Sequence, residues 1–196
     1  MSFSFLNPGL LIDRELELVE PDARWVDEVL RSCAHPMCQS DPSATVTTRQ
    51  FLMDFLRKSP RGRYAGDAGQ NRVPAYHFWM RMRSGLCESQ LSIAGHLGLR
   101  IGSTPDLELY YGHVGYNVYP PARGNHYAER SCRLLLPLAR AHGMRVLWIT
   151  CNPDNMASRK TCERLGGQLV EIIDVPPGHL LHTRGERQKC RYRIEL

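Results

Sequence analysis

Residues 117–139 read NVYPPARGNHYAERSCRLLLPLA, an apolar stretch that passes through a proline-rich turn into the first turns of a long helix. The first N–H groups of a helix have no acceptor within it, and the helix dipole places positive charge at the same end. The junction is therefore suited to an anion such as a pyrophosphate. Gly124 lets the backbone approach such a group closely, and Arg123 adds charge. Neither a GxGxxG dinucleotide fingerprint nor a P-loop lysine motif is present. Pro137 falls inside the helix, where it removes one N–H and its ring crowds the carbonyl of Arg133. A kink is expected rather than a break, because Leu134, Leu135, Leu138 and Ala139 continue one apolar stripe.

Upstream, Arg14 to Val19 alternates apolar and polar residues and is expected to form a strand. Pro21 and Asp22 open a helix carrying Trp25, Val26, Val29 and Leu30 on one face. Thr47 or Thr48 caps a second helix with Phe51, Leu52, Phe55 and Leu56 at the same spacing. Ser59 to Pro74 reads as a polar, glycine-containing loop. The period then changes to two. AYHFWMRM (75–82), QLSIAGHLGLRI (90–101) and LELYYGHVGYNVYP (107–120) are expected as three strands, joined by turns at Ser84 to Glu88 and Gly102 to Asp106. Such short connections favour antiparallel pairing.

Downstream, the helix from about Asn125 to His142 ends at Gly143 and leads to an apolar strand at Val146 to Thr150. A further helix runs from Asn155 to Gly166 and Gly167, ahead of strands LVEII (169–173) and CRYRIEL (190–196). The element order βααβββαβαββ implies an α/β (α+β) fold, a sheet with helices on both faces, with residues 1–196 forming one domain.

The string Val118-x-Pro120-x-x-Arg123-Gly124-x-His126-Tyr127-Ala128 resembles the coenzyme A pyrophosphate loop of the GNAT acetyltransferases, V-x-P-x-x-R-G-x-G-x-A. Asn155-x-x-Ser158 through Glu163-Arg164-Leu165-Gly166 is similar to that family's second motif, N-x-x-S-x-x-x-Y-E-K-x-G-F, in the expected order and at the expected distance. The resemblance implies a mixed, mostly antiparallel seven-stranded sheet and transfer of an acetyl group from acetyl-CoA to a primary amine by direct attack in a ternary complex. It also implies that Asn117, Val118 and Tyr119 support the pantetheine and thioester. The pyrophosphate would lie on Arg123, Gly124, Asn125, His126, Tyr127 and Ala128, and Asn155 would contact pantetheine or cap its helix. Three departures from the pattern stand out. His126 replaces the second loop glycine, and Cys162 stands where many relatives have the tyrosine that protonates the leaving thiolate. Gly167 replaces the closing aromatic.

Amine acylation needs a neutral amine, a polarised carbonyl and a proton for the thiolate. His113 is one candidate base and Glu108 its rival, both on the fourth of the expected strands, 107–120. A strand histidine with a satisfied ring and an exposed strand carboxylate are the plain alternatives for these two residues. Ser158 and Cys162, four residues apart on one helix face, are the candidates near the thiolate. Water or Ser158 is the expected donor, because a thiol beside a thioester is itself easily acylated.

Seven cysteines without a CxxC pair do not read as a disulfide framework. The cluster Cys33-Ala-His35-Pro-Met-Cys38 matches no familiar zinc spacing, so no metal is expected. No segment reaches the roughly 18–20 apolar residues needed to span a bilayer, and the expectation is a cytoplasmic protein without a membrane partner. The net charge of +5 suits an anionic ligand. The basic residues are dispersed, which makes nucleic acid an unlikely partner. A homodimer, an acyl-CoA-binding protein without turnover and acylation of a hydroxyl all remain open. The acceptor, a small-molecule amine or a peptide N-terminus, would be chosen by residues 21–72 and 174–189 if the resemblance extends that far. Those residues carry no readable motif.

Overall fold

Alternation at Leu16–Val19 (β2) buries Leu16 and Leu18 on one face, and β2 pairs antiparallel with a two-residue strand at Ile12–Asp13 (β1). The computed structural model describes residues 3–41, 47–83 and 91–196. The turn expected at Ser84 to Glu88 lies outside the described residues. A 3-10 turn at Ala23–Trp25, capped by Asp22, leads into helix α1 at Val26–Cys33. Thr48, not Thr47, caps the second long helix: its side chain accepts the Phe51 N–H at 3.1 Å, and the helix runs over Arg49–Lys58. Between these two helices lies a single turn of helix, α2, at Pro36–Gln39, so the Arg49–Lys58 helix is α3. The His35 ring caps α2 by accepting the Met37 N–H at 3.2 Å, and the Cys38 thiol donates to the Ser32 carbonyl at 3.3 Å. The cysteine-histidine cluster thus closes a helix end.

The segment read as a loop at Ser59 to Pro74 contributes strand β3 at Arg63–Tyr64, which pairs antiparallel with β4 at Ala75–Met82. Strand β4 in turn pairs antiparallel with β2 and with β5 at Ile93–Arg100. The next expected strand forms only in its second half, β6 at Val114–Val118. Residues Leu107–Tyr111 wind instead into a π-helical turn. Thr104 starts that turn, its hydroxyl accepting the Leu107 N–H at 3.1 Å, and the Gly112 N–H closes it on the Leu107 carbonyl at 2.6 Å. Gly112 has φ +68°, and a Cβ there would stand 2.9 Å from the Trp148 carbonyl oxygen, so only glycine lets the chain leave the turn this close to its neighbour.

Helix α4, Tyr127–Ala141, continues without a break through Pro137, which faces solvent. Its buried side carries Cys132, Leu135, Leu138 and Ala139. Arg130 ties it to the start of the fold, bonding Asp13 at 2.5 Å and Glu15 at 2.6 Å and holding the Glu15 carboxyl down to about 2. Strand β7 at Val146–Cys151, helix α5 at Met156–Arg164, strand β8 at Gln168–Asp174, a short helix α6 at Leu180–Thr183 and strand β9 at Gln188–Glu195 complete the order.

The expected mixed α/β architecture with antiparallel pairing is what folds. Its hydrogen-bonded strands fall into two groups, β1-β2-β4-β5-β6 with β3 on β4, and β7-β9-β8. One apolar core runs across both groups, including Phe78, Leu97 and Val114 from the first and Leu147, Ile149 and Tyr192 from the second. Beside β6 the groups are joined through His113 and Trp148. The His113 N–H donates to the Trp148 carbonyl at 2.6 Å, and the Trp148 N–H donates to the His113 ring Nδ1 at 2.8 Å. No ladder continues from there between β6 and β7 among the described residues, so the two strands separate.

Candidate functional site

The opening of α4 faces α5 across a cleft of about 390 Å³. The loop and helix α4 contribute Val118, Ala122, Arg123, Gly124, His126, Tyr127 and Ala128 to its walls. Helix α5 contributes Met156, Ala157, Lys160, Thr161 and Arg164, which helical periodicity brings to one face. No side chain caps the α4 N-terminus, leaving the dipole end open to the cleft. Gly124 has φ +92°, and a Cβ built there would meet no protein atom within 4 Å. His126 has φ 57° and ψ 22°, the left-handed conformation that glycine adopts without cost. The loop therefore follows the backbone path that a glycine would allow, even though the residue is histidine.

The cations of the cleft differ from the sequence expectation. Arg123 lines the cleft, but its Nε donates to the Val118 carbonyl at 3.1 Å and its Nη2 pairs with Asp41 at 2.7 Å, bracing the loop. Lys160 is exposed on the opposite wall and enters no ion pair among the described residues, and Arg164 meets His126 Nδ1 at 2.8 Å. Neither α5 cation was singled out from the sequence. Arg164 stands at the lysine position of the second motif, and its i, i+4 spacing from Lys160 within that motif is the signal that could have found them. Asn125 turns its amide inward to the Ala122 carbonyl at 3.3 Å.

The other face of α5 is buried. Asn155 caps the helix, its side chain accepting the Ser158 N–H at 3.0 Å. Ser158 Oγ lies 2.8 Å from the Tyr116 hydroxyl, which comes from β6. Cys162 is fully buried, and its hydrogen bond with Cys151, together with burial, raises its pKa well above that of an ordinary thiol. Burial also raises the Tyr116 phenol, so it stays protonated near neutrality. The tyrosine absent from helix position 162 is thus matched by a phenol arriving from the facing strand, and a small thiol at 162 leaves room for it.

The two sequence-derived bases lie elsewhere. Both flank the junction of the two sheets. The His113 ring is buried and its Nδ1 is occupied by the Trp148 N–H, while burial lowers its pKa. Glu108 is not on a strand, because it falls in the π-helical turn, where its carboxylate accepts from the Ser103 hydroxyl.

A second cavity, of about 420 Å³, opens beneath α3 and is bordered by Gly115 and Tyr116 of β6. Helix α3 supplies Phe51, Leu52 and Phe55, while Trp79, His96, Gly98, Arg100 and Gly115 come from the sheet. Antiparallel register sets the layout, placing His96 opposite both Trp79 and Asn117, and Gly98 opposite both His77 and Gly115. His77 also faces this cavity, its ring edge-to-face with Phe55, and burial holds its pKa down to about 4. His96 is solvent-exposed, the protein packed around it lowers its pKa, and its ring nitrogens have no hydrogen-bond partner among the described residues. Sequence reading missed both histidines, because a histidine in an alternating strand looks like any other half-polar position.

The sequence pattern of the acetyltransferase (GNAT) domain matches residues 18–168, which is more than half of the chain. The chain belongs to the GNAT acetyltransferases. No curated protein matches it in sequence. Among solved structures, the acetyltransferase is similar in fold to the microcin C7 self-immunity acetyltransferase MccE in complex with acetyl-CoA and AMP, at 15% identity and a TM-score of 0.64 over 94% of each chain. It is similar to a GNAT-family acetyltransferase from Bacillus anthracis, at 15% identity and a TM-score of 0.60 over 95% of this chain and 98% of that one. A third similar fold is the Salmonella typhimurium acetyltransferase that modifies the N-terminal serine of ribosomal protein L7/L12, at 18% identity and a TM-score of 0.60 over 95% and 99%. Among the described residues, no helix of this acetyltransferase is long and apolar enough to cross a membrane.

Proposed function

We propose that this acetyltransferase carries an acetyl group from acetyl-CoA to a primary amine, with both substrates bound together. The observation behind this reading is that β6 and the residue after it border two separate openings: Val118 lines the cleft at the α4 N-terminus, and Tyr119 lines the cavity beneath α3. A pyrophosphate fits the first, where an open helix N-terminus, Gly124, Lys160 and Arg164 converge. The donor coenzyme supplies an activated acetyl group there, and the chain's own residues handle position and protons. In the second opening His96 takes the proton that the acceptor ammonium must lose, since its ring is neutral, unpartnered and across the ladder from Asn117. The amine nitrogen then bonds to the carbonyl carbon as the carbon–sulfur bond breaks. Ser158 Oγ donates a proton to the sulfur while taking one from the Tyr116 hydroxyl 2.8 Å away, and the second proton, shed by the nitrogen as it becomes an amide, returns through water of the cavity that Tyr116 lines to restore that phenol.

The acceptor is an amine, and a peptide N-terminus is one form of it. Initial rates of thiol release with both substrates varied test the reading. Intersecting double-reciprocal lines are expected. Tight acetyl-CoA binding with no release across a panel of amines and peptides would mean a binding protein without turnover. Parallel lines would point to an acyl-enzyme.

Strand β8 lies at a sheet edge with Leu169, Val170 and Ile172 exposed, and a second copy pairing along that edge is the homodimer this reading favours. Sedimentation at increasing concentration should show a dimer that Val170→Lys disperses.

A further inference from the structure

The acceptor cavity has an unbalanced charge. Arg100, at the end of β5, reaches it from the sheet, and Arg100 Nη1 donates to the Gly112 carbonyl at 2.9 Å, with the Tyr111 carbonyl at 3.4 Å. Those carbonyls fix the guanidinium in place but do not neutralise it. Arg100 forms no ion pair, and no Asp or Glu lines the cavity, among the described residues. Burial makes the uncompensated charge costly, which lowers the guanidinium's hold on its proton. His77, neutral at pH 7, adds no second positive charge.

Access to this charge comes through a missing side chain. A Cβ at Gly115 would stand 3.6 Å from Nη1 and 3.7 Å from Nη2, so glycine leaves the face of the guanidinium open where any other residue would cover it. Around it the walls are aromatic, with Phe51, Phe55 and Trp79. An acceptor carrying only cationic groups would meet like charge here with no carboxylate to receive it. A carboxylate or phosphate would supply the counter-charge that the fold omits.

We propose that the acceptor is an amine that also bears an anionic group, a carboxylate or a phosphate, which Arg100 holds while an apolar body packs between the aromatic walls. This rests on the reading of the cavity as the acceptor site and names the substrate class that fits it.

The test uses matched pairs that differ only in the anion. Phenylalanine against phenethylamine probes the carboxylate, and phosphoethanolamine against ethanolamine probes the phosphate. Each pair is measured by kcat/KM for thiol release and by calorimetric binding to the protein saturated with coenzyme A. In at least one pair the anionic member should win by about tenfold or more, the scale of a charge-assisted hydrogen bond at a part-buried site. Arg100→Met should abolish that preference while leaving acetyl-CoA affinity unchanged. Gly115→Ala should reduce it in the same direction, its methyl group seated over the guanidinium, and this variant decides the matter if Arg100→Met does not fold. Equal handling of both members in every pair, preference for the member without the anion, or binding of neither would overturn the proposal, as would a preference that survives both variants. Because binding is read separately from thiol release, a protein that binds the anionic member but never releases thiol would contradict turnover and leave the anion site standing.

Discussion

The two openings that border β6 are built from different materials. The cleft proposed for the coenzyme is largely backbone: an uncapped helix N-terminus, a glycine at φ +92° and a histidine at φ 57° that keeps the loop on a glycine's path. The cavity proposed for the acceptor is side chains on a regular antiparallel ladder, with His77, His96 and Arg100 taking their places from register alone. Backbone geometry demands particular residues at particular spacings, because few residues tolerate a left-handed turn or leave room for an anion. A ladder accepts almost any side chain at each position. The first opening is therefore written as a motif and the second is not.

Variants at the two openings should therefore separate into rate effects and coenzyme-affinity effects. The largest effect is expected at His96. His96→Gln should lower kcat by about a hundredfold, the lower scale of general base catalysis, with little change in acetyl-CoA affinity. The pH profile sharpens this. The neutral ring is the base, so rate rises as pH climbs through its pKa. The protein packed around the ring lowers that pKa below 6.5, so the acid limb of kcat/KM should lie below pH 6.5 and vanish in the variant. An unchanged limb in His96→Gln would assign the base elsewhere.

Ser158→Ala should cost about tenfold or more in kcat, because it removes the hydroxyl, 2.8 Å from that of Tyr116, proposed to protonate the leaving sulfur. Cys162→Ala should retain most turnover, since its thiol is fully buried, hydrogen-bonded to Cys151 and absent from the walls of the cleft. It should lower the melting temperature instead, because it empties space in a fully buried position. A larger kcat loss in Cys162→Ala than in Ser158→Ala would reverse the assignment.

A smaller and purely electrostatic effect is expected from Lys160→Ala combined with Arg164→Ala. Coenzyme affinity should fall several-fold, with a shallower dependence on salt than the parent because exposed charges act through screened fields. The same variant should bind acceptors normally, which is the contrast between the two openings in its simplest form.

Most of the fold could be read from the chain. Hydrophobic period located the helices at Val26–Cys33, Arg49–Lys58, Tyr127–Ala141 and Met156–Arg164 to within a few residues. It failed at 107–113, where L-E-L-Y-Y alternates enough to resemble a strand while Thr104-Pro105-Asp106 is a helix start; the turn that forms carries Glu108 off the sheet. It also failed at 63–64, because a two-residue strand has no period to detect. His113 stood out as a titratable strand residue, yet that strand's neighbour across the splay takes its ring as a hydrogen-bond acceptor. Only the folded chain shows which strand that neighbour is. The Tyr116–Ser158 contact joins residues 42 apart and has no local signature.

The central claim is that the α4 N-terminus holds the coenzyme, and titration calorimetry of acetyl-CoA against the parent and Gly124→Val tests it most directly. The substitution forces a β-branched residue into φ +92° and directs its side chain into the cleft, where no protein atom now stands within 4 Å. Melting temperature is measured alongside to confirm folding. The account predicts one saturable site in the parent and affinity at least about tenfold weaker in Gly124→Val, the equivalent of ~1.4 kcal/mol. Equal affinity in the two folded proteins would contradict it.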